Sequence, residues 1–181
     1  EYKGYRGDWV KFPKTQFVNE YPLLVDIELS ALCNLSCPMC PQSNNGRERD
    51  FKKYLSFNLF KKIVDEAIPH GLEFVSIAGS GEPLLAKNLV ECISYLTEHG
   101  IKSLIYTNGI RLDERLFRDL CSNGLSDLKV SCQGWDKESY AKWMSIDAYD
   151  EMREKLMMCY SILNSEKKYD TFLQTNHLIQ D

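Results

Sequence analysis

Two hydrophobic rhythms take turns along this chain. The β-rich run LLVDIELS (23–30) leads into a cysteine-containing loop. Ser56 is placed to cap a helix over FNLFKKIVDEAIPHG, ended by Pro69 and Gly71. FVSIAGSGEP (74–83) reads as a strand entering a Gly/Pro turn, and LVECISYLTEHG (89–100) has helical spacing and a glycine stop. The alternation continues through IKSLIYTNG (101–109), LDERLFRDLCSNG (112–124), SDLKVSCQG (126–134), a mostly helical stretch over 136–166, and a fifth strand, DTFLQTNHLI (170–179). The predicted order is βαβαβαβαβ, which implies a parallel sheet with right-handed crossovers. Five strands permit an open or partial barrel, since a closed eight-unit barrel needs about 250 residues. A doubly wound sheet is the rival topology, and alternation alone does not separate the two. In both, functional groups gather where strands end and loops begin. Residues 1–22 lack clear periodicity and read as an extension packed on the outside or bottom of a core spanning 23–181, and 42–53 (QSNNGRERDFKK) reads as a polar loop.

Composition narrows the function classes. The chain has 181 residues, 44% of them hydrophobic, so one domain with a real core is expected, with at most a small appendage. A net charge of −4 argues against a general nucleic-acid surface, which needs clustered Lys and Arg. No apolar run approaches the 18 residues of a membrane span, and no signal peptide is visible. Three of the seven cysteines fall within eight residues (Cys33, Cys37, Cys40), while Cys92, Cys121, Cys132 and Cys159 are scattered singly through apolar stretches. A secreted disulfide framework is more even and more turn-rich, so the expectation is a reduced, cytoplasmic protein with one metal-type cluster.

The loop ALCNLSCPMCP spaces its thiols C-x3-C-x2-C directly after the first strand. Thiolates are soft ligands that suit iron–sulfur clusters or zinc. Three of them hold three irons of a cubane [4Fe–4S] cluster, and with no fourth cysteine nearby one iron stays open to a non-protein ligand. Zinc with a histidine as fourth ligand is the alternative, but His70, His99 and His177 lack zinc-finger spacing. Three more turns end predicted strands: Gly79-Ser80-Gly81-Glu82-Pro83, Thr107-Asn108-Gly109, and Ser131-Cys132-Gln133-Gly134. Glycine lets backbone approach a ligand closely, and a carboxylate or carbonyl accepts from an ammonium group. Each turn taken alone also reads as an ordinary strand-to-helix connection. Strand alternation turns Cys132 away from Ser131 and Gln133, into the core.

The cysteine spacing and its surroundings, VDIELSALCNLSCPMCPQS, resemble the signature of the radical S-adenosylmethionine (radical SAM) superfamily, in particular the subgroup carrying SPASM or Twitch extensions. The resemblance implies an α/β fold, a partial TIM-like (β/α) barrel of which about five of six units are visible, so that the chain looks truncated at its C-terminus. It implies that Cys33, Cys37 and Cys40 bind the [4Fe–4S] cluster and that the open iron chelates the amino and carboxylate groups of S-adenosylmethionine. Met39 takes the apolar position beside the adenine. Gly79, Ser80, Gly81, Glu82 and Pro83 match the family's G-G-E-P turn, with Ser80 replacing the first glycine of that motif. Thr107, Asn108, Ser131 and Gln133 complete the expected cofactor-binding set, Gln133 standing where the family commonly has Asp. The implied activity is reductive cleavage of S-adenosylmethionine to a 5′-deoxyadenosyl radical that abstracts hydrogen from a small-molecule or peptide substrate, with a flavodoxin- or ferredoxin-type electron donor. A non-catalytic iron–sulfur electron-transfer or sensing module is the other reading. Arg153 reads as a solvated helix position, Trp135, Tyr140, Trp143 and Tyr149 as packing, and either Asn176 or His177 faces the pocket.

Overall fold

The computed structural model describes residues 3–44 and 54–177. Strands β1 (Leu24–Ile27), β2 (Phe74–Ile77), β3 (Lys102–Thr107), β4 (Asp127–Ser131) and β5 (Phe172–Asn176) form one sheet in the spatial order β1-β2-β3-β4-β5. All four pairings are parallel. A doubly wound sheet reverses direction at a switch point, whereas a barrel adds every strand on the same side of its predecessor. The sequential order is therefore that of a barrel. Its edges are β1 and β5, so the barrel is partial.

Helices α3 (Phe57–Ala67), α4 (Leu89–Glu98), α5 (Glu114–Ser122) and α7 (Tyr149–Ser165) cover one face of the sheet. Val75, Ile77, Ile105, Leu128 and Val130 of the strands join Phe60, Val64, Ile93, Leu96, Phe117, Leu120 and Ile162 of the helices in one buried cluster. Cys92, Cys121, Cys132 and Cys159 sit in the same cluster as small core residues, and burial pushes the Cys92 and Cys159 thiols up to about 12 and Cys132 to about 11. Thiols held protonated in this way are unreactive. No disulfide joins any of the seven cysteines. Side chains start the helices as their chemistry dictates: Ser56 Oγ accepts from Leu59 N–H at 3.3 Å and Asp113 Oδ1 from Leu116 N–H at 2.7 Å.

Three regions depart from the sequence reading. The stretch over 136–166 is two helices, α6 (Lys137–Met144) and α7, because Ser145 takes a left-handed φ of 56° and donates its hydroxyl to Ser36 O at 3.1 Å. Residues Pro41–Asn44 form a short helix α2 rather than loop, and 45–53 of the expected loop lie outside the described residues. Lys3–Thr15 form a helix α1, and its Trp9 lines a cavity with residues of the concave face of the sheet. That concave face carries Leu24, Asp26, Phe74, Ser76, Leu104, Tyr106, Asp127, Lys129 and Gln174, the alternate residues of all five strands, around a cavity of about 320 Å³. Among the described residues no helix is long and apolar enough to cross a membrane.

Candidate active site

The C-terminal ends of β1, β2 and β3 are tied together by their loops. Ser30 is buried just beyond β1, and its Oγ accepts from Leu32 N–H at 3.1 Å, turning the chain into the cysteine loop. Leu35 buries the middle of that loop, and Cys40 N–H donates to Cys37 O at 3.0 Å. Cys33 Sγ accepts from Leu35 N–H at 3.5 Å, and the Cys37 thiol donates to Met144 O at 3.5 Å. Cys33, Cys37 and Cys40 are each half-buried.

The second turn docks on the first. Glu82 N–H donates to Leu32 O at 2.6 Å. A Cβ on Gly81 would overlap the Ser30 carbonyl, so only glycine allows this approach. Glu28, just beyond β1, accepts from Ser80 N–H at 2.5 Å and Gly81 N–H at 3.0 Å through Oε1. The sequence reading passed over Glu28, although two-residue alternation puts it on the same face as Leu24 and Asp26.

The third turn joins through Glu82, which is 2% exposed. Its Oε1 accepts from Thr107 Oγ1 at 2.5 Å and Leu84 N–H at 3.0 Å, and its Oε2 from Asn108 N–H at 2.8 Å. Burial raises its pKa above the ordinary carboxylate value, and those three donors pull back part of the rise. Glu82 is therefore a strut between the second and third turns, with its lone pairs largely committed to the chain itself. Asn108 closes the circuit: its Nδ2 donates to Asn34 Oδ1 at 2.9 Å and lies 3.7 Å from Cys33 Sγ. Asn34, too, went unnoticed in the sequence, because its partner is 74 residues away.

At the fourth strand, Ser131 is half-buried and Gln133 buried, while Cys132 points into the core and its N–H donates to Asn176 O at 2.9 Å. Gln174 faces Asp127 on the concave side, so alternation puts Asn176 on that side and His177 on the other. His177 instead lines a separate cavity of about 330 Å³ between the sheet and α6 and α7, with Trp135, Tyr140, Tyr149 and Arg153. Arg153 is exposed, with its guanidinium 5.9 Å from the centre of the Tyr149 ring. Of these five residues Tyr140 lies near Cys37, on the same helix α6 whose Met144 O accepts from the Cys37 thiol. His70 stacks on Tyr21, and His99 is tilted at 45° to the Tyr95 ring with its Nδ1 2.8 Å from Tyr95 O.

Among the described residues no three His, Cys, Asp or Glu side chains are gathered closely enough to hold a metal ion. The donor set nevertheless fits an iron–sulfur cluster in kind: three soft sulfur ligands on one short loop, one of them with an amide nitrogen beside it. A cluster held by all three would replace the Cys37–Met144 contact.

The pattern of the Radical SAM superfamily matches residues 27–171. A probable GTP 3′,8-cyclase of Methanococcus maripaludis is 35% identical over 117 residues, covering 64% of this chain and 38% of that protein. Mycofactocin maturase MftC of Mycolicibacterium smegmatis is 30% identical over 117 residues, covering 65% of this chain and 29% of that protein. The crystal structure of Streptococcus suis SuiB bound to S-adenosylmethionine superposes with a TM-score of 0.70 at 21% identity, covering 97% of this chain and 39% of that one. The chain thus spans about a third of the length of the curated relatives it matches. With the superfamily's pattern running from the end of the first strand to the residue before the fifth, and its motifs meeting at one end of a partial barrel, this chain belongs to the radical SAM superfamily.

Proposed function

We propose that residues 23–181 are the core of a radical SAM enzyme in which Cys33, Cys37 and Cys40 hold a [4Fe–4S] cluster, and that 1–22 are an appendage to it. The superfamily's cofactors are that cluster and S-adenosylmethionine. The observation that carries the reading is the hydrogen-bonded circuit that joins the cysteine loop to the Gly79–Pro83 and Thr107–Gly109 turns through Glu28, Glu82 and Asn108. When bound, the pair supplies a 5′-deoxyadenosyl radical by one-electron cleavage of a carbon–sulfur bond, for hydrogen abstraction from substrate. The chain's residues bind and orient. Glu28 takes the N–H groups of Ser80 and Gly81, which leaves the carbonyls of Gly79, Ser80 and Gly81 to accept from the cofactor's ammonium. Glu82 and Thr107 hold the turns in register, and Pro83 starts the short helical turn that follows. Met39 supplies an apolar contact for adenine, Asn108 steadies the loop beside Cys33, and Ser131 and Gln133 offer polar groups to the ribose or the methionine carboxylate. The substrate is a small molecule or a peptide, the electron donor a flavodoxin- or ferredoxin-type protein, and the setting a reducing cytoplasm.

The test is anaerobic reconstitution with iron and sulfide, then dithionite reduction and electron paramagnetic resonance with and without S-adenosylmethionine. A [4Fe–4S] signal that shifts on adding the cofactor, and that is lost in Cys33→Ala, Cys37→Ala and Cys40→Ala, is the expected result. A cluster indifferent to the cofactor would point to an electron-transfer module, and one zinc without iron or sulfide would overturn the reading.

A further inference from the structure

Asn108 makes more polar contacts than its turn requires. It sits just beyond β3 and is buried. Its main-chain N–H donates to Glu82 Oε2 at 2.8 Å, and its Oδ1 accepts from Ile110 N–H at 3.0 Å. The second bond is an Asx turn, which Asp makes equally well. It also fixes which way the amide lies: with Oδ1 on Ile110, the NH2 group is turned to the cysteine loop. There Nδ2 donates to Asn34 Oδ1 at 2.9 Å and lies 3.7 Å from Cys33 Sγ. A side-chain amide nitrogen carries two hydrogens, so one serves Asn34 and the other is left for the sulfur. An aspartate has neither. The turn accounts for Oδ1, and the cysteine loop accounts for Nδ2.

A hydrogen bond to a ligating thiolate withdraws electron density from it. The reduced, more negative form of an iron–sulfur cluster gains more from that donor than the oxidised form, so the reduction potential rises. A buried donor acts more strongly than one in water, because the local dielectric is low. Asn108 is also held still: Glu82 fixes its main chain, while Ile110 and Asn34 fix the two ends of its amide. Leu35 N–H is a further donor to the same sulfur, at 3.5 Å, but it is a backbone group that any residue other than proline supplies. The side-chain donor depends on the identity of residue 108.

We propose that Asn108 is a positioning residue that sets the potential of the cluster: its side-chain N–H donates to the Cys33 sulfur and makes the bound cluster easier to reduce. Asn34 takes the other hydrogen of the same amide and so fixes the direction of the donor. The inference rests on the radical SAM reading for the presence of the cluster. It gives the Thr107–Gly109 turn a part in how readily an electron enters, separate from any contact with S-adenosylmethionine.

The test uses the chain reconstituted with iron and sulfide, without S-adenosylmethionine, poised with redox dyes at the midpoint potential of the wild type. Electron paramagnetic resonance reads the ratio of reduced to oxidised cluster. Asn108→Asp keeps the acceptor for Ile110 N–H and loses the donor; Asn108→Ser also keeps an oxygen for the turn, adds no charge and is one bond shorter. The expected ratio is at least fivefold lower than wild type in both, and unchanged in Asn58→Asp, the same chemical change at an exposed position of α3. A smaller change in both variants, or a higher ratio in either, would overturn the inference. A second measurement needs no change at residue 108. In wild-type protein labelled with ¹⁵N at the asparagine side-chain amides, pulsed electron paramagnetic resonance of the reduced cluster is expected to show a ¹⁵N coupling that persists in Asn34→Ala. Absence of that coupling overturns the inference even where the Asn108 variants hold no cluster. A wild type that binds no [4Fe–4S] cluster would overturn the proposed function as well, whereas a loaded wild type without the coupling leaves that function standing.

Discussion

Glu82 shows how far a residue's role depends on its partners. In the sequence it is a turn carboxylate open to a ligand; in the fold it is 2% exposed and takes Thr107, Leu84 and Asn108 as donors. Its pKa is raised, burial outweighing the hydrogen bonds. The folded state thus holds this proton more tightly than the unfolded chain does. The associated stability is complete below the ordinary Glu value of 4.5 and is lost as pH rises through the higher folded value. Glu82→Gln removes the titrating group. The stability of wild type relative to Glu82→Gln is therefore expected to fall as pH rises from about 4.5 toward neutrality. Urea unfolding of both proteins across that range measures it, and a difference that is flat or rises with pH contradicts the assignment. Glu28 and Asn34 belong to the same scale. Each is an unremarked polar residue until a loop some 50 or 70 positions away is folded against it.

Elements were the most legible level, because their signals are local. The cap at Ser56, the glycine stop at Gly71 and the apolar spacing of α3 all lie within one stretch of chain, and the helix forms there. Ser56→Ala removes the Oγ that accepts Leu59 N–H and is expected to cost about 1 kcal/mol, read as a shift in urea midpoint at unchanged slope. No change in midpoint would mean that solvent caps the helix equally well. The break between α6 and α7 was not legible. Ser145 reaches its left-handed conformation while bonded to Ser36, 109 residues earlier, and neither residue marks a turn by itself. Lys3–Thr15 escaped for the opposite reason: the helix contains Pro13 and a weakly patterned face, so its rhythm is faint although its backbone is regular.

At the scale of the whole molecule, the open barrel brings four strand ends to one rim and leaves a polar cavity on its inner face. Ligand binding at that rim is linked to folding, since the turns it bridges belong to separate βα units. With the cluster in place, S-adenosylmethionine at a hundredfold its Kd is expected to raise the unfolding free energy by about 2.7 kcal/mol. The variant with Cys33, Cys37 and Cys40 all changed to Ala should show no such shift in the same anaerobic denaturation experiment. Stabilisation of that variant equal to wild type would detach cofactor binding from the cysteine loop.

The sequence by itself determined the alternation of strands and helices, the cysteine loop and the position of each glycine turn, because periodicity, capping and ligand spacing are properties of neighbouring residues. It also determined which family the chain joins, since C-x3-C-x2-C after a strand is a local pattern. Only the tertiary structure decided between barrel and doubly wound sheet, because strand order is a matter of non-local pairing. It alone turned Glu82 from a ligand-facing group into a strut, and set the Asn108 amide beside Cys33 from a separate loop. Contacts across 25 to 109 residues carry no signature in a short window of sequence; they exist once the crossovers have placed each strand beside the last.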